Sequence, residues 1–189
     1  PKFAVIQETA RKVWLLNPLP WPLNWVIGAL GYITEPLFFM FYRTTHFMTG
    51  SESAREDVVK MGIPRENITV IPHGVVIPKF STLQRKEKIK TVVYLGMLSK
   101  DKGIENAIKC FKILNGQGDF RFWVIGKPET EKYGKKIEEL AKPLGKRIKF
   151  CGFVSQGKKF EFLSRAHLLI NPSVHEGWGL VNIEANAVG

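Results

Sequence analysis

From about residue 90 onward the apolar residues fall into short runs separated by charged stretches, and the runs alternate between two periods. TVVYLG (91–96), FRFWVIG (120–126), RIKFCGF (147–153) and HLLINPS (167–173) are short, rich in β-branched and aromatic residues and bounded by turn formers, which predicts strands. Between them, residues 103–114 place Ile104, Ala107, Ile108, Phe111 and Leu114 at helical spacing. Residues 131–144, 157–165 and 180–188 also read as helices. Strand and helix in strict alternation predict βαβ units on a parallel sheet, an α/β fold, with ligands taken at the carboxyl ends of the strands.

The first eighty residues are patterned less regularly. KFAVI (2–6), THFMT (45–49) and ITVI (68–71) read as strands. Ser53-Ala-Arg-Glu56 has the spacing of a capping box and predicts a helix running to about Met61, stopped by Gly62. No charged residue occurs from Val13 to Thr34. Pro18, Pro20 and Pro22 interrupt the first half of that stretch, and Glu35-Pro36 closes it. The clean run Trp25–Thr34 is too short to cross a bilayer, so a buried or interfacial helix is expected. The aromatic-rich segment from Trp14 to Phe47 is assigned to a core, with an interfacial patch as the other reading. HGVVIPKF (73–80) reads as a connector and QRKEKIK (84–90) as an exposed junction. The domain boundary is placed near residue 80, giving domains 1–80 and 81–189.

Composition narrows the class. The chain has 189 residues, 44% of them hydrophobic and 24% charged, as in ordinary globular proteins. Its net charge of +11 favours anionic partners such as nucleotides or phospholipids. The lysine clusters at 132–136, 142–149 and 158–159 read as solvated helix faces and offer little aromatic interleaving, which speaks against a nucleic-acid partner. Cys110 and Cys151 form no metal or disulfide spacing, so free, mostly buried thiols in a reducing, cytoplasmic compartment are expected. The four histidines make no metal pattern, and no metal or cofactor is expected. No GxGxxG follows any strand, which excludes the usual dinucleotide fingerprint. The chain opens without Met and stops inside an element, as a fragment of a longer protein would, and its second sheet is expected to lack its last strands.

Three strand ends carry informative loops: Met97 to Gly103 after the first, Lys127-Pro-Glu after the second, and Val174-His-Glu176-Gly-Trp-Gly179 after the last. On a parallel sheet all three open on one edge. Gly177 and Gly179 let backbone approach a ligand closely, and the helix after them presents unpaired N–H groups to an anion. Carboxylates at Glu176 and Glu184 suit the vicinal hydroxyls of a sugar. Lys102 offers a point charge to a diphosphate. Spacing alone leaves a second reading open, since the helix dipole by itself favours glutamate near a helix start.

The closing stretch, NPSVHEGWGLVNIEANAVG, resembles the signature of the retaining glycosyltransferases of family 4, with the GT-B fold of two Rossmann-like domains. SESAREDVVKMGIPRENITVIPHGV (51–75), GMLSKDKGI (96–104) and IKFCGFVSQGKKFEFLSRAHLLINPS (148–173) agree in the same order. The resemblance implies that 1–80 is the end of the acceptor-side domain and 81–189 most of the nucleotide-sugar domain. It implies that Glu176 contacts the donor sugar, Glu184 holds the ribose hydroxyls and Lys102 neutralises the leaving diphosphate. Gly96, Val154, Gly177, Trp178, Gly179 and Leu180 would complete the donor site, with Glu176 and Lys102 as the catalytic pair and no metal. The implied reaction moves a hexosyl group from a nucleotide-diphosphate sugar to a glycan or lipid-linked acceptor in polysaccharide biosynthesis, with retained configuration. It would take place in the cytoplasm or peripherally on the inner face of an anionic membrane. The alternatives are a sugar-nucleotide epimerase on the same fold and a binding module that no longer transfers. The chain departs from the family at Met97, where Arg is usual, at Gln7, where His is frequent, and at His73 and Val76, in place of Asn and Asp.

Overall fold

A computed structural model describes residues 2–11, 13–76 and 85–189. The expected boundary at residue 80 lies outside the described residues. The chain divides into two compact units, Pro1–Gly74 with Val174–Gly179, and Val75–Ser173 with Leu180–Gly189.

The first unit is built on a three-stranded parallel sheet, β1 (Phe3–Val5), β2 (His46–Thr49) and β3 (Ile68–Val70), in the order β1-β2-β3. Its core gathers Phe47, Val58, Ile63 and Ile68, with Ala4, Ile6, Phe39 and Val59 packed against them. Two helices provide the crossovers, α1 (Leu23–Met40) and α2 (Glu52–Lys60). The N-cap of α2 is Ser51, whose hydroxyl accepts from the Ala54 amide at 3.1 Å. This corrects the capping box expected at Ser53, because Ser51 is the residue still in extended conformation when the helix starts.

Helix α1 corrects the sequence reading more deeply. Its 18 residues run through Pro36 without a break. The Glu35 carboxylate accepts from the Ala10 amide (2.8 Å) and the Trp14 indole (3.0 Å), fixing the helix where proline removes a backbone donor. Gly28 and Gly31 press against the short 3-10 turn Trp14–Leu16, and a Cβ on Gly31 would stand 2.3 Å from the Trp14 ring. Within α1 only Gly28 is buried, so the core expected over the aromatic-rich segment is confined to Phe47 and the Phe39 ring packed against it.

The second unit holds the regular part of the chain. β4 (Lys90–Leu95), β5 (Phe120–Ile125), β6 (Ile148–Gly152) and β7 (Leu168–Leu169) form one parallel sheet in the order β6-β5-β4-β7. The helices are α3 (Ile104–Asn115), α4 (Glu131–Ala141), α5 (Gln156–Arg165) and α6 (Leu180–Ala187). Successive side chains of a strand face opposite ways, and both faces of this sheet are covered. Val92, Tyr94, Phe122 and Val124 pack under α3 and α4 through Ile104, Ile108, Phe111 and Ile137. Val93, Trp123 and Ile125 pack against Phe160 and Leu163 of α5 and against Val188. The strand expected over 167–173 pairs only at Leu168 and Leu169, and the helix expected over 131–144 turns into a 3-10 segment after Ala141. Cys110 is exposed and Cys151 half-buried, against the expectation of mostly buried thiols, because Cys110 lies off the apolar stripe of α3.

Candidate functional site

The strand order sets the site of the second unit. β4 has β5 on one side and β7 on the other, and the chain leaves β4 for α3 and β7 for α6. In open parallel sheets such a reversal leaves a crevice outside the carboxyl ends of the strands. At that edge the strand-ending glycines are laced together: the Gly96 amide donates to the Ile125 carbonyl (3.0 Å) and the Gly126 amide to the Gly152 carbonyl (2.9 Å). A Cβ on Gly126 would fall 1.8 Å from the Gly96 carbonyl oxygen, so the strand ends close only around glycine.

Above them lies a cavity of about 640 Å³, lined among others by Gly96, Met97, Lys127, Phe153, Val154 and Lys159. Gly96 and Val154, which the family resemblance assigns to the donor site, are both on its wall. Lys127 holds its ammonium 5.5 Å from the Phe153 ring centroid. The Ser155 hydroxyl caps α5 by accepting from the Lys158 amide, and Ser155 and Gln156 line the cavity as well. Glu129, also on the wall, has its carboxyl pKa raised, first by burial and then by nearby Asp101.

Glu184 lies just over one turn into α6. Its carboxylate pairs with Lys159 at 2.5 Å, both side chains largely buried. A lysine that lines the cavity thus ties Glu184 to it. Lys102 sits on the turn before α3. The Tyr94 hydroxyl beneath this turn donates to the Met97 carbonyl (2.7 Å) and lies 3.3 Å from that of Lys102. Gly103, at φ 72°, follows immediately, and a Cβ there would stand 2.2 Å from the Pro172 carbonyl oxygen. The Ser173 hydroxyl reaches the Asp101 carbonyl at 3.4 Å. The loops after β4 and β7 are therefore packed on each other within this unit. Leu180 opens α6 and is exposed.

Glu176, Gly177, Trp178 and Gly179 group with the first unit. There the Ser51 hydroxyl donates to the Gly177 carbonyl at 2.5 Å, and the Trp178 indole donates to the His73 carbonyl at 3.0 Å. A Cβ on Gly177 would meet the Gln7 carbonyl oxygen at 2.0 Å. The Gln7 side chain in turn bonds the His73 imidazole at 2.6 Å. His175 places Nε2 3.3 Å from Asp57, both side chains being less than a tenth exposed. His73 and Gln7, departures from the family pattern in sequence, are partners of each other in space.

Sequence reasoning took Lys159, with Lys158, for a solvated helix face and Phe153 for the end of a strand, and assigned neither to the site; the Lys159 side chain is instead largely buried. A signal existed for Phe153: Met97, Lys127 and Phe153 each directly follow a strand-ending glycine, and all three line the cavity. Among the described residues, no group of three or more His, Cys, Asp or Glu side chains is placed to hold a metal ion.

Residues 78–189 match the family described as glycosyl transferases group 1. The chain is 28% identical over 179 residues to the uncharacterized glycosyltransferase MJ1607 of Methanocaldococcus jannaschii, covering 86% of this chain and 44% of that protein. It is also 28% identical over 203 residues to the alpha-galactosylglucosyldiacylglycerol synthase of Streptococcus pneumoniae, covering 95% of this chain and 52% of that one. The crystal structure of Anabaena HepE in complex with UDP and glucose superposes with a TM-score of 0.68 at 16% identity, over all of this chain and 50% of HepE. The chain spans about half the length of the curated relatives it matches.

Proposed function

The chain belongs to the glycosyl transferases group 1 family, and from that membership we propose that it forms the donor-handling part of an enzyme moving a sugar from a nucleotide-diphosphate sugar to a glycan or lipid-linked acceptor. The observation that carries this reading is the cavity at the carboxyl edge of the second sheet, with Gly96 and Val154 on its wall and Glu184 tied to it through Lys159. In this reading the base lies near Val154 and the ribose hydroxyls replace Lys159 as partners of the Glu184 carboxylate. Lys102 faces the diphosphate. Glu176 and the main chain from Gly177 to Leu180, with Trp178 and Gly179, take the donor sugar.

The chemistry follows from where charge develops. The bond between the anomeric carbon and the diphosphate oxygen breaks, and the acceptor hydroxyl oxygen forms the new bond on the same face, so configuration is retained. The hydroxyl proton passes to the departing diphosphate. A cation beside that oxygen and unpaired amides at the start of α6 stabilise the negative charge that builds up there, which is the main electrostatic task. Met97 removes one cation that the family usually provides. Lys127, on the same cavity wall, is the residue proposed to replace it. The reading requires no metal and no cofactor. It places the enzyme in the cytoplasm, on polysaccharide or glycolipid biosynthesis, and the hexosyl nature of the sugar is part of the proposal. The relatives named above are a glycosyltransferase and a glycolipid synthase, which lends the epimerase alternative no support.

Calorimetry with UDP-, GDP- and ADP-sugars, and NAD as control, tests the proposal on the wild type and Glu184→Ala. One sugar nucleotide should bind, with affinity reduced at least tenfold in the variant. Equal binding by both proteins removes Glu184 from the site, and binding without turnover of any acceptor identifies a non-catalytic module.

A further inference from the structure

We infer that the amino edge of the second sheet holds a binding site for a small free anion bearing two phosphoryl groups, at the opposite end of the strands from the cavity described above. The inference does not rest on the donor reading. Five cationic side chains, Arg121, Lys146, Arg147, Lys149 and Arg165, line a recess of about 250 Å³ there. Among the described residues Glu87 is the one acid on its wall.

The strand pattern explains why cations converge at this edge. Trp123 turns toward α5, and alternation along β5 puts Arg121 on the same face. Ile148 and Phe150 pack on the other face, so Lys149 between them also points to the α5 side, opposite Trp123 in the register. Arg121 and Lys149 are therefore diagonal neighbours on adjacent strands, within reach of each other's long side chains. Gly145, at φ 51°, turns the chain within the 3-10 segment and brings Lys146 and Arg147 to the start of β6. Arg165 comes from the last turn of α5 and sits 5.7 Å from the Trp123 ring centroid.

Ion pairing within the chain leaves most of this charge unanswered. Glu87 is engaged by Arg165, whose Nε donates to it at 2.9 Å, and Arg147 is paired with Asp119. Arg121, Lys146 and Lys149 have no acidic partner among the described residues. Elsewhere in this unit exposed lysines do find acids, as Lys136 finds Glu105 and Lys158 finds Glu161. Like charges gathered in one recess repel, and an anion bound among them removes that repulsion. The guanidinium fork and the ammonium groups match phosphate oxygens. A single phosphate group carries at most about two negative charges, short of three unpaired cations, whereas a diphosphate balances all of them. Trp123 is 7% exposed with Arg165 beside its ring, so it offers no face on which a base could stack, and the site suits a phosphate anion rather than a nucleic-acid strand.

The test is a titration of the full, isotope-labelled chain with pyrophosphate, followed by amide chemical shifts and by calorimetry, with orthophosphate and sodium chloride at equal ionic strength as controls. Pyrophosphate should shift the amides of Arg121, Lys146 and Lys149 and bind at least tenfold more tightly than orthophosphate. Arg121→Gln with Lys149→Gln should weaken binding at least tenfold, while the thermal midpoint of the free protein holds or rises because like charges have been removed. Shifts confined to Gly96, Lys102 and Lys127 would place the anion in the other cavity and overturn the inference. An equal response to orthophosphate or to salt would reveal screening alone, and unaltered affinity in the double variant would remove both residues from the site; either result overturns it as well. Vesicles containing phosphatidic acid form a second arm: retention of the chain on them without any response to free pyrophosphate would give the cluster to a lipid headgroup and overturn the free-ligand form.

Discussion

Replacing Gly103 by alanine probes the contact that packs the two loops of the second unit together. Gly103 sits at φ 72° and ψ 24°, in the left-handed region, where an L side chain costs about 1–2 kcal/mol. Its added Cβ would also stand 2.2 Å from the Pro172 oxygen and 2.9 Å from the Pro172 carbonyl carbon. Those are backbone atoms and cannot rotate away, so an overpacking cost of about 1–3 kcal/mol adds to the first. Gly103→Ala should therefore lose about 2–5 kcal/mol. Gly152→Ala is the matched control, because Gly152 has φ 65° in the same unit but nothing within 4 Å of an added Cβ. It should lose only the conformational part, about 1–2 kcal/mol. Urea unfolding followed by circular dichroism and by the fluorescence of Trp123, the one tryptophan of that unit, gives both values. Equal losses to within about 0.5 kcal/mol, the additivity of independent sites, would refute the close approach of Gly103 to Pro172.

Two further outcomes follow from the titrating and reactive groups. The Glu105 carboxyl is held below its ordinary pKa of 4.5, first by the hydrogen bond from Lys136 (2.8 Å) and further by that from the Tyr133 hydroxyl (3.0 Å). A depressed carboxyl stabilises the fold fully above that value and ceases to do so as pH falls through the folded pKa. Glu105→Gln should thus be less stable at pH 7 yet lose less between pH 4.5 and 3; parallel curves of urea midpoint against pH would contradict this. Burial raises the pKa of the Cys151 thiol, while Cys110 is exposed, so a disulfide reagent at pH 8 should react in two phases at least tenfold apart. Cys110→Ser should remove the fast phase, and loss of the slow one instead would reverse the assignment.

The second unit was largely legible in the sequence. TVVYLG, FRFWVIG and RIKFCGF each pair a period of two with a terminal glycine, and local pattern and tertiary role agree there. Gly96 and Val154, which only the family resemblance assigns to the donor site, line the cavity. Misreadings arose where a tertiary contact outweighed the local signal. Pro36 reads as a stop, but Glu35 is bonded to residues 25 and 21 positions earlier, which no local window contains. Ser53 fits a capping box, yet Ser51 caps α2, because the helix begins where the extended backbone of β2 ends. The Lys159–Glu184 pair joins two helices far apart in sequence and left no spacing to read.

The strand order also bears on how the polypeptide is made. β4 lies inside the sheet, but its partner on one side arrives late: Val92 pairs with Leu168. At roughly 5–20 residues per second, a ribosome needs about 4–15 s to travel between them. Through that interval β4, β5 and β6 can assemble, and α3 and α4 can cover one face. The other edge of β4 remains open, with Val93 still lacking Val188. An open apolar edge on a nascent chain is a template for pairing with the wrong strand. Early termination between β6 and β7 would freeze the polypeptide in that state, so the demand for chaperones is concentrated in the synthesis of the last third of this sequence.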